Sequence, residues 1–270
     1  MAPSYPYNRP DRETAIDTAL ARSVVYRLLA QGFRLPSEGL LLELASEASR
    51  SAIEAAARLL QRLTRTEDPL HPAVLELRAF LPANAESLGS AGARLFGHAR
   101  GLVCPFETEY GPEGAFHQPQ QLADIAGYYL AVGLTPSSGI DERLDHVACE
   151  CEFMGFLSRK EAFTLTLGAE DEAETVAVIG DVARGFLRDH LARFGRAFAR
   201  LLTKEDAGGF YGALGGVLSR LLALECARLG LPVGPPTLAL RPPVPDDTPM
   251  ACGDGRCAVG RELIDIQGWR

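Results

Sequence analysis

Residues 104–157 read CPFETEYGPEGAFHQPQQLADIAGYYLAVGLTPSSGIDERLDHVACECEFMGFL and set a polar, turn-rich loop directly before two strongly patterned helices. The loop holds Pro105, Gly111, Pro112 and Gly114, residues that interrupt regular structure. Among them stand Phe106, Glu107, Glu109 and Tyr110. Connectors this long are often functional. Here Phe106, Tyr110 and Phe116 offer apolar contact, while Glu107 and Glu109 offer charge for a cation. The first helix is expected over 118–132, stopped by Gly133. The second is expected over 141–167, with Ser138 and Asp141 reading as a capping box.

On 141–167 one row carries Leu144, Val147, Cys151 and Met154, and another carries His146, Glu150, Phe153 and Leu157. Apolar residues thus cover much of the circumference, and the helix is read as buried. Asp145 and His146 interrupt that pattern. Ionisable groups on a buried helix are costly unless paired, so both are expected at a cleft wall, satisfied by neighbours or by a ligand. An ordinary structural pair that ties the helix to the loop is the other reading. Tyr128 and Tyr129 are adjacent and therefore 100° apart on the first helix, so one faces the core and the other is free to line the cleft.

Outward from this block the spacing stays helical. Ile16, Leu20, Val24 and Leu28, then Leu40, Leu41 and Leu44, recur at three to four residues. Further helices are expected over 53–63, 72–81, 85–96, 172–187, 189–202 and 210–229, which makes the chain an all-α, single-domain fold. Between Leu231 and Pro249 seven prolines occur, a density that no helix interior tolerates. The expected organisation is a helical domain over 1–231 and an irregular tail over 232–270. The tail's apolar end, Leu263, Ile264, Ile266 and Trp269, is free to cover a groove on the body.

With 270 residues, 47% of them hydrophobic, the chain can bury a substantial core. No apolar run approaches the roughly 18 residues that span a bilayer, and the start, MAPSYPYNRPDRE, lacks the apolar segment of a secretory signal, so a cytoplasmic place is expected. Six irregularly spaced cysteines fit a reducing compartment. The net charge of −8 disfavours nucleic acid and favours a cationic partner such as a basic peptide.

Catalytic and metal signatures fail one by one. Cys149 and Cys151 point about 200° apart on a continuous helix and cannot share an ion. Cys252 and Cys257 supply two of the four ligands that zinc needs and remain weak candidates. Gly253, Gly255 and Ala258 have dinucleotide-fingerprint spacing, but prolines precede them where a strand is required. The carboxylate-bundle metal enzyme, the alternative reading, needs Glu-x-x-His, whereas Glu142 is followed by Asp145 with His146 one position late.

The Pro105-Phe106-Glu107 run with Tyr110 and Phe116, the stretch LADIAGYYLAVGL, and the stretch ERLDHVACECEFMGFLSRKEA resemble the TorD/DmsD/NarJ chaperones, which mature molybdenum-containing oxidoreductases. These elements span about a fifth of the chain. The resemblance implies a non-catalytic cytoplasmic chaperone without a cofactor of its own. Its partner would be a molybdoenzyme catalytic subunit or that subunit's leader peptide, and it would assist cofactor insertion, assembly and twin-arginine export. It would be a monomer or homodimer, with no stable membrane insertion. It also implies a peptide-binding role for the Asp145-His146 pair and for Pro105 and Phe106. The site expected on this basis comprises Pro105, Phe106, Glu107, Glu109, Tyr110, Asp145, His146, Phe153 and Met154. The segment RGFLRDHLARFGRAFARLL is similar to the family's later helix, with Phe194 where a tryptophan is common, and a packing role is expected for it.

Overall fold

Helix α1 (Arg12–Gly32) begins where the Asp11 carboxylate accepts the Thr14 N–H at 2.8 Å. The computed structural model describes residues 11–63, 69–97, 101–112, 117–135 and 143–241. Ser37 and Asn84 cap α2 (Glu38–Ala45) and α5 (Ala85–Phe96) in the same way, each accepting a backbone N–H of its first turn. Between these lie α3 (Glu47–Leu63) and α4 (Leu70–Ala79). The chain continues through α6 (Gln118–Ala131), α7 (Val147–Leu167), α8 (Glu172–Phe186), α9 (Ala192–Glu205) and α10 (Phe210–Leu229). Among the described residues there is no β-strand, only two isolated bridges. The fold is all-α.

Helix α1 packs along α7 and α3, and α10 packs along α9 and α4. An ion cluster ties the two halves: buried Arg22 of α1 meets Glu225 of α10 at 3.0 Å and Glu161 of α7 at 2.7 Å. Helix α10 has the length and apolarity of a membrane span, yet it is largely buried inside the fold, as a central helix should be. Gly168 (φ 65°) and Gly230 (φ 62°) end α7 and α10 in the left-handed conformation, where a side chain would be strained.

Three expectations need correction. The helix expected over 141–167 starts at Val147. His146 is its N-cap in an extended conformation, with Nδ1 accepting the Ala148 N–H at 3.1 Å. Asp145 and His146 therefore precede the helix and do not lie on its face. The capping box at Ser138 and Asp141 lies outside the described residues. The helices expected over 172–187 and 189–202 join without a break, because a π turn, Leu187–Leu191, carries α8 into α9. Finally, the first ten residues of the expected tail belong with the helical body. Gly111 N–H donates to Ala239 O at 3.0 Å, Arg241 N–H donates to Glu109 O at 2.8 Å, and Arg241 is buried. We call residues 232–241 the strap.

Candidate functional site

The loop after α5 is fixed first by its own backbone. Val103 N–H donates to Leu95 O, and the Tyr110 hydroxyl donates to Cys104 O at 2.7 Å. Phe106 and His146 then pair as an isolated antiparallel bridge. Glu107 N–H donates to Asp145 O and Val147 N–H donates to Pro105 O, both at 2.9 Å. This bridge explains why α7 cannot start before Val147, since the loop holds His146 extended.

Asp145 is fully buried, and its carboxylate takes four hydrogen bonds. Thr108 donates through its N–H (3.1 Å) and its hydroxyl (2.8 Å), and Arg143 donates through Nε (3.0 Å) and Nη2 (2.8 Å). The Arg143 guanidinium also lies over the Phe106 ring at 4.4 Å and reaches Glu109 at 3.2 Å. Burial, together with the positive charges of Arg34 and Arg143, pushes the His146 imidazole down to about 4 against the pull of Asp145. His146 is therefore neutral near pH 7, as its capping bond from Ala148 requires.

A second buried polar cluster sits under the loop. The Glu107 carboxylate accepts from His190 Nδ1 at 3.0 Å and from Arg193 Nε at 3.0 Å, and His190 Nε2 lies 3.3 Å from Asp124. The π turn aims His190 at Glu107, in keeping with the frequent placement of such turns at functional sites. Glu150, fully buried, stands beside this cluster. Burial, reinforced by the charges of Glu107 and Asp145, holds its carboxyl well above the usual range.

The nine expected site residues divide accordingly. Pro105, Phe106, Glu107, Glu109, Tyr110, Asp145 and His146 are brought together by the bridge. Of these, Phe106 and Glu109 are partly exposed, whereas Pro105, Glu107, Tyr110, Asp145 and His146 are buried. Phe153 and Met154 are buried core residues: the Phe153 ring lies 4.6 Å from both Tyr129 and Phe186. A cleft of about 170 Å³ remains open beside the loop, bounded by Phe96, Phe106, Glu109, Arg143, Leu240 and Arg241.

Sequence reasoning passed over Arg143, Thr108, Arg193 and the strap. Arg143 sits two residues before Asp145, a spacing with no periodic signature, and the others are distant in sequence. Phe194 packs as expected, 5.5 Å from Tyr110. Cys151 is buried, which pushes its thiol well above the ordinary value. Cys252 and Cys257 lie outside the described residues. Among the described residues no group of three or more His, Cys, Asp or Glu is arranged to hold a metal ion.

The family model described as nitrate reductase delta subunit matches residues 65–200, half of the chain, from before α4 through the loop, the bridge and most of α9. The chain belongs to the nitrate reductase delta subunit family. This is the NarJ/TorD-like family of molybdoenzyme maturation chaperones, as the resemblance of residues 104–157 implied. None of the curated proteins compared matches the chain. The delta-subunit match covers every residue of the loop and of its partners on α6, α7 and the π turn, and it ends before α10 and the strap. The family is a chaperone family rather than a catalytic one, and the carboxylate-bundle alternative is not favoured.

Proposed function

We propose that this chain acts in the cytoplasm on the catalytic subunit of a molybdenum oxidoreductase, binds that subunit's N-terminal leader, and holds the subunit back until its cofactor is in place. The observation that carries the leader reading is the cleft beside Phe106. Phe106, Phe96 and Leu240 give it apolar walls, and Glu109 gives it a partly exposed carboxylate at the rim. Its volume of about 170 Å³ is that of a cavity able to take one ring-sized apolar group. An amphipathic leader offers such an anchor together with cations. The anchor enters the cleft while a neighbouring Lys or Arg competes with Arg143 for Glu109.

In this reading Asp145, Glu107 and His146 hold the loop in position and do not touch the leader. Tyr110, Phe153 and Met154 support it from the core. No bond is made or broken, so the chain is no enzyme. A micromolar complex needs about 8 kcal/mol, within reach of one buried apolar anchor, its flanking contacts and a charge-assisted bond.

Calorimetry of the purified chain against the client's leader tests this. Saturable binding that weakens in Phe106→Ala and Glu109→Gln is expected. Absence of saturable heat, or undiminished affinity in Phe106→Ala, would place the leader elsewhere.

A further inference from the structure

A groove of about 1030 Å³ lies apart from the leader cleft, between α9, α10, the end of α4 and strap residues Pro236–Leu238. Its chemistry differs from that of the whole chain. The protein carries a net charge of −8, yet α9 turns Arg196, Arg200 and Lys204 into this groove, and α10 adds Arg220.

These cations are held in place and underused. The other side of α9 is pinned by Phe194, Phe198 and Leu202, all fully buried. Among the described residues Arg196 donates to a neutral acceptor, Gly234 O, at 3.2 Å. Arg220 folds back on its own helix and donates to Gly216 O at 3.0 Å. Exposed Lys204 meets its partly buried sequence neighbour Glu205 at 3.0 Å, a pairing worth little where water reaches it. No ion pair or hydrogen bond among the described residues engages Arg200. Two carboxylates line the groove. Asp206 is occupied by Arg94 and by the first N–H groups of α10, and Glu76 stands exposed on the α4 wall.

Arg196, Arg200 and Lys204 fall four residues apart, so each step along α9 rises about 6 Å. Alternate residues of an extended chain are about 6.6 Å apart on one face. We propose that the α9–α10 groove docks an extended segment of a partner protein that carries carboxylates on alternate residues. The intervening side chains would be small or apolar, since Phe80, Leu201 and Leu238 stand among the cations. A polynucleotide fits less well. It would rely on stacking platforms and a continuous basic track, whereas Phe80 is the only accessible aromatic ring among the described lining residues, and the field of the whole chain opposes a long polyanion.

The test uses the full chain and two labelled isomeric pentapeptides, Glu-Ala-Glu-Ala-Glu and Glu-Glu-Glu-Ala-Ala, followed by fluorescence anisotropy at low salt. The alternating peptide should bind saturably and more tightly than its isomer, and added salt should weaken it. Arg200→Gln, an exposed change that leaves the fold intact, should weaken binding severalfold, and Arg196→Gln with Arg200→Gln by about tenfold. Glu76→Gln should strengthen it, and Arg62→Gln on the exposed face of α3 should change nothing. Equal affinity for the two isomers, indifference to Arg200→Gln, or equal binding of a short single-stranded oligonucleotide would overturn the proposal. So would the absence of any binding by the full chain, whether its own residues 242–270 fill the groove or nothing does. Phe106→Ala should leave this binding untouched, so failure here and failure of the leader reading are separable.

Discussion

Thr108 and Asp145 are joined twice, through the backbone N–H at 3.1 Å and the hydroxyl at 2.8 Å, both donating to one carboxylate oxygen of Asp145. With Arg143 on the same carboxylate, the buried charge is fully compensated, and the loop cannot leave the start of α7 without exposing it. The sequence reading placed Asp145 at a cleft wall, satisfied by neighbours or by a ligand. Here its neighbours satisfy it.

Asp145→Asn should therefore destabilise the chain by about 2–3 kcal/mol, because an amide accepts through one atom and turns a donor toward Thr108 or Arg143. Thr108→Val, which keeps the backbone bond, should cost about 1 kcal/mol. Urea unfolding measures both. An Asp145→Asn midpoint within error of the parent would show that the bridge holds without the charge.

His146 gives the fold an acid-sensitive joint. Its folded-state value of about 4 lies below the ordinary 6.5, so between the two the unfolded chain binds more protons than the folded one. Stability should fall as pH drops from about 6.5 toward 4, by up to about 3 kcal/mol from this group alone. His146→Asn keeps a capping acceptor and cannot titrate. It loses the ring contact with Phe106 at 5.2 Å, so absolute stability drops, but the slope against pH over that window should flatten. An unchanged slope would assign the acid sensitivity to other groups.

Periodicity revealed the helices because each buries one stripe against its neighbours, and the spacing of Ile16, Leu20, Val24 and Leu28 or of the 210–229 run leaves little alternative. It misplaced the start of α7, since the apolar pattern of 141–167 carries no mark of a backbone bridge to residues 105–107. It named Glu107 for a cation, and Asp145 and His146 for a cleft wall where neighbours or a ligand would satisfy them. The donors that satisfy them, Arg143, Thr108, His190 and Arg193, come from segments whose meeting is a tertiary fact. The strap was invisible for a similar reason. Prolines exclude a helix there, but the pairing of Leu240 with Tyr110 depends on where the loop already stands.

The Arg22–Glu225 pair should behave as a buried unit. Arg22 is 1% exposed and Glu225 is 0% exposed, with Glu161 and Arg228 completing the cluster. Glu225→Gln removes the central anion and leaves Arg22 in the interior, which should cost about 3–5 kcal/mol. Arg22→Met with Glu225→Gln removes both charges and should cost less than the sum of the two single changes. A double-mutant cycle by chemical unfolding reads the coupling, and strict additivity would show that the two side chains do not depend on each other.

The strap is the element whose removal separates a mere tail from a part of the body. Gly234 passes so close to α9 that a Cβ would sit 2.0 Å from Ala192 O, and that atom belongs to backbone that cannot step aside. Gly234→Ala should therefore lift the strap's entry, while Gly111 N–H, Leu240 and Arg241 pull its far end down onto the loop. Truncation after Arg241 keeps these contacts, and truncation after Leu231 removes them all. The second truncation should be less stable than the first and should bare Tyr110, which is 1% exposed beneath Leu240. Thermal unfolding gives the difference in stability, and accessibility of Tyr110 to a solvent quencher gives the local consequence. Equal melting temperatures for the two truncations would return the domain boundary to Leu231. A loss of stability in Gly234→Ala that matches the shorter truncation would show that this one close approach holds the whole strap in place.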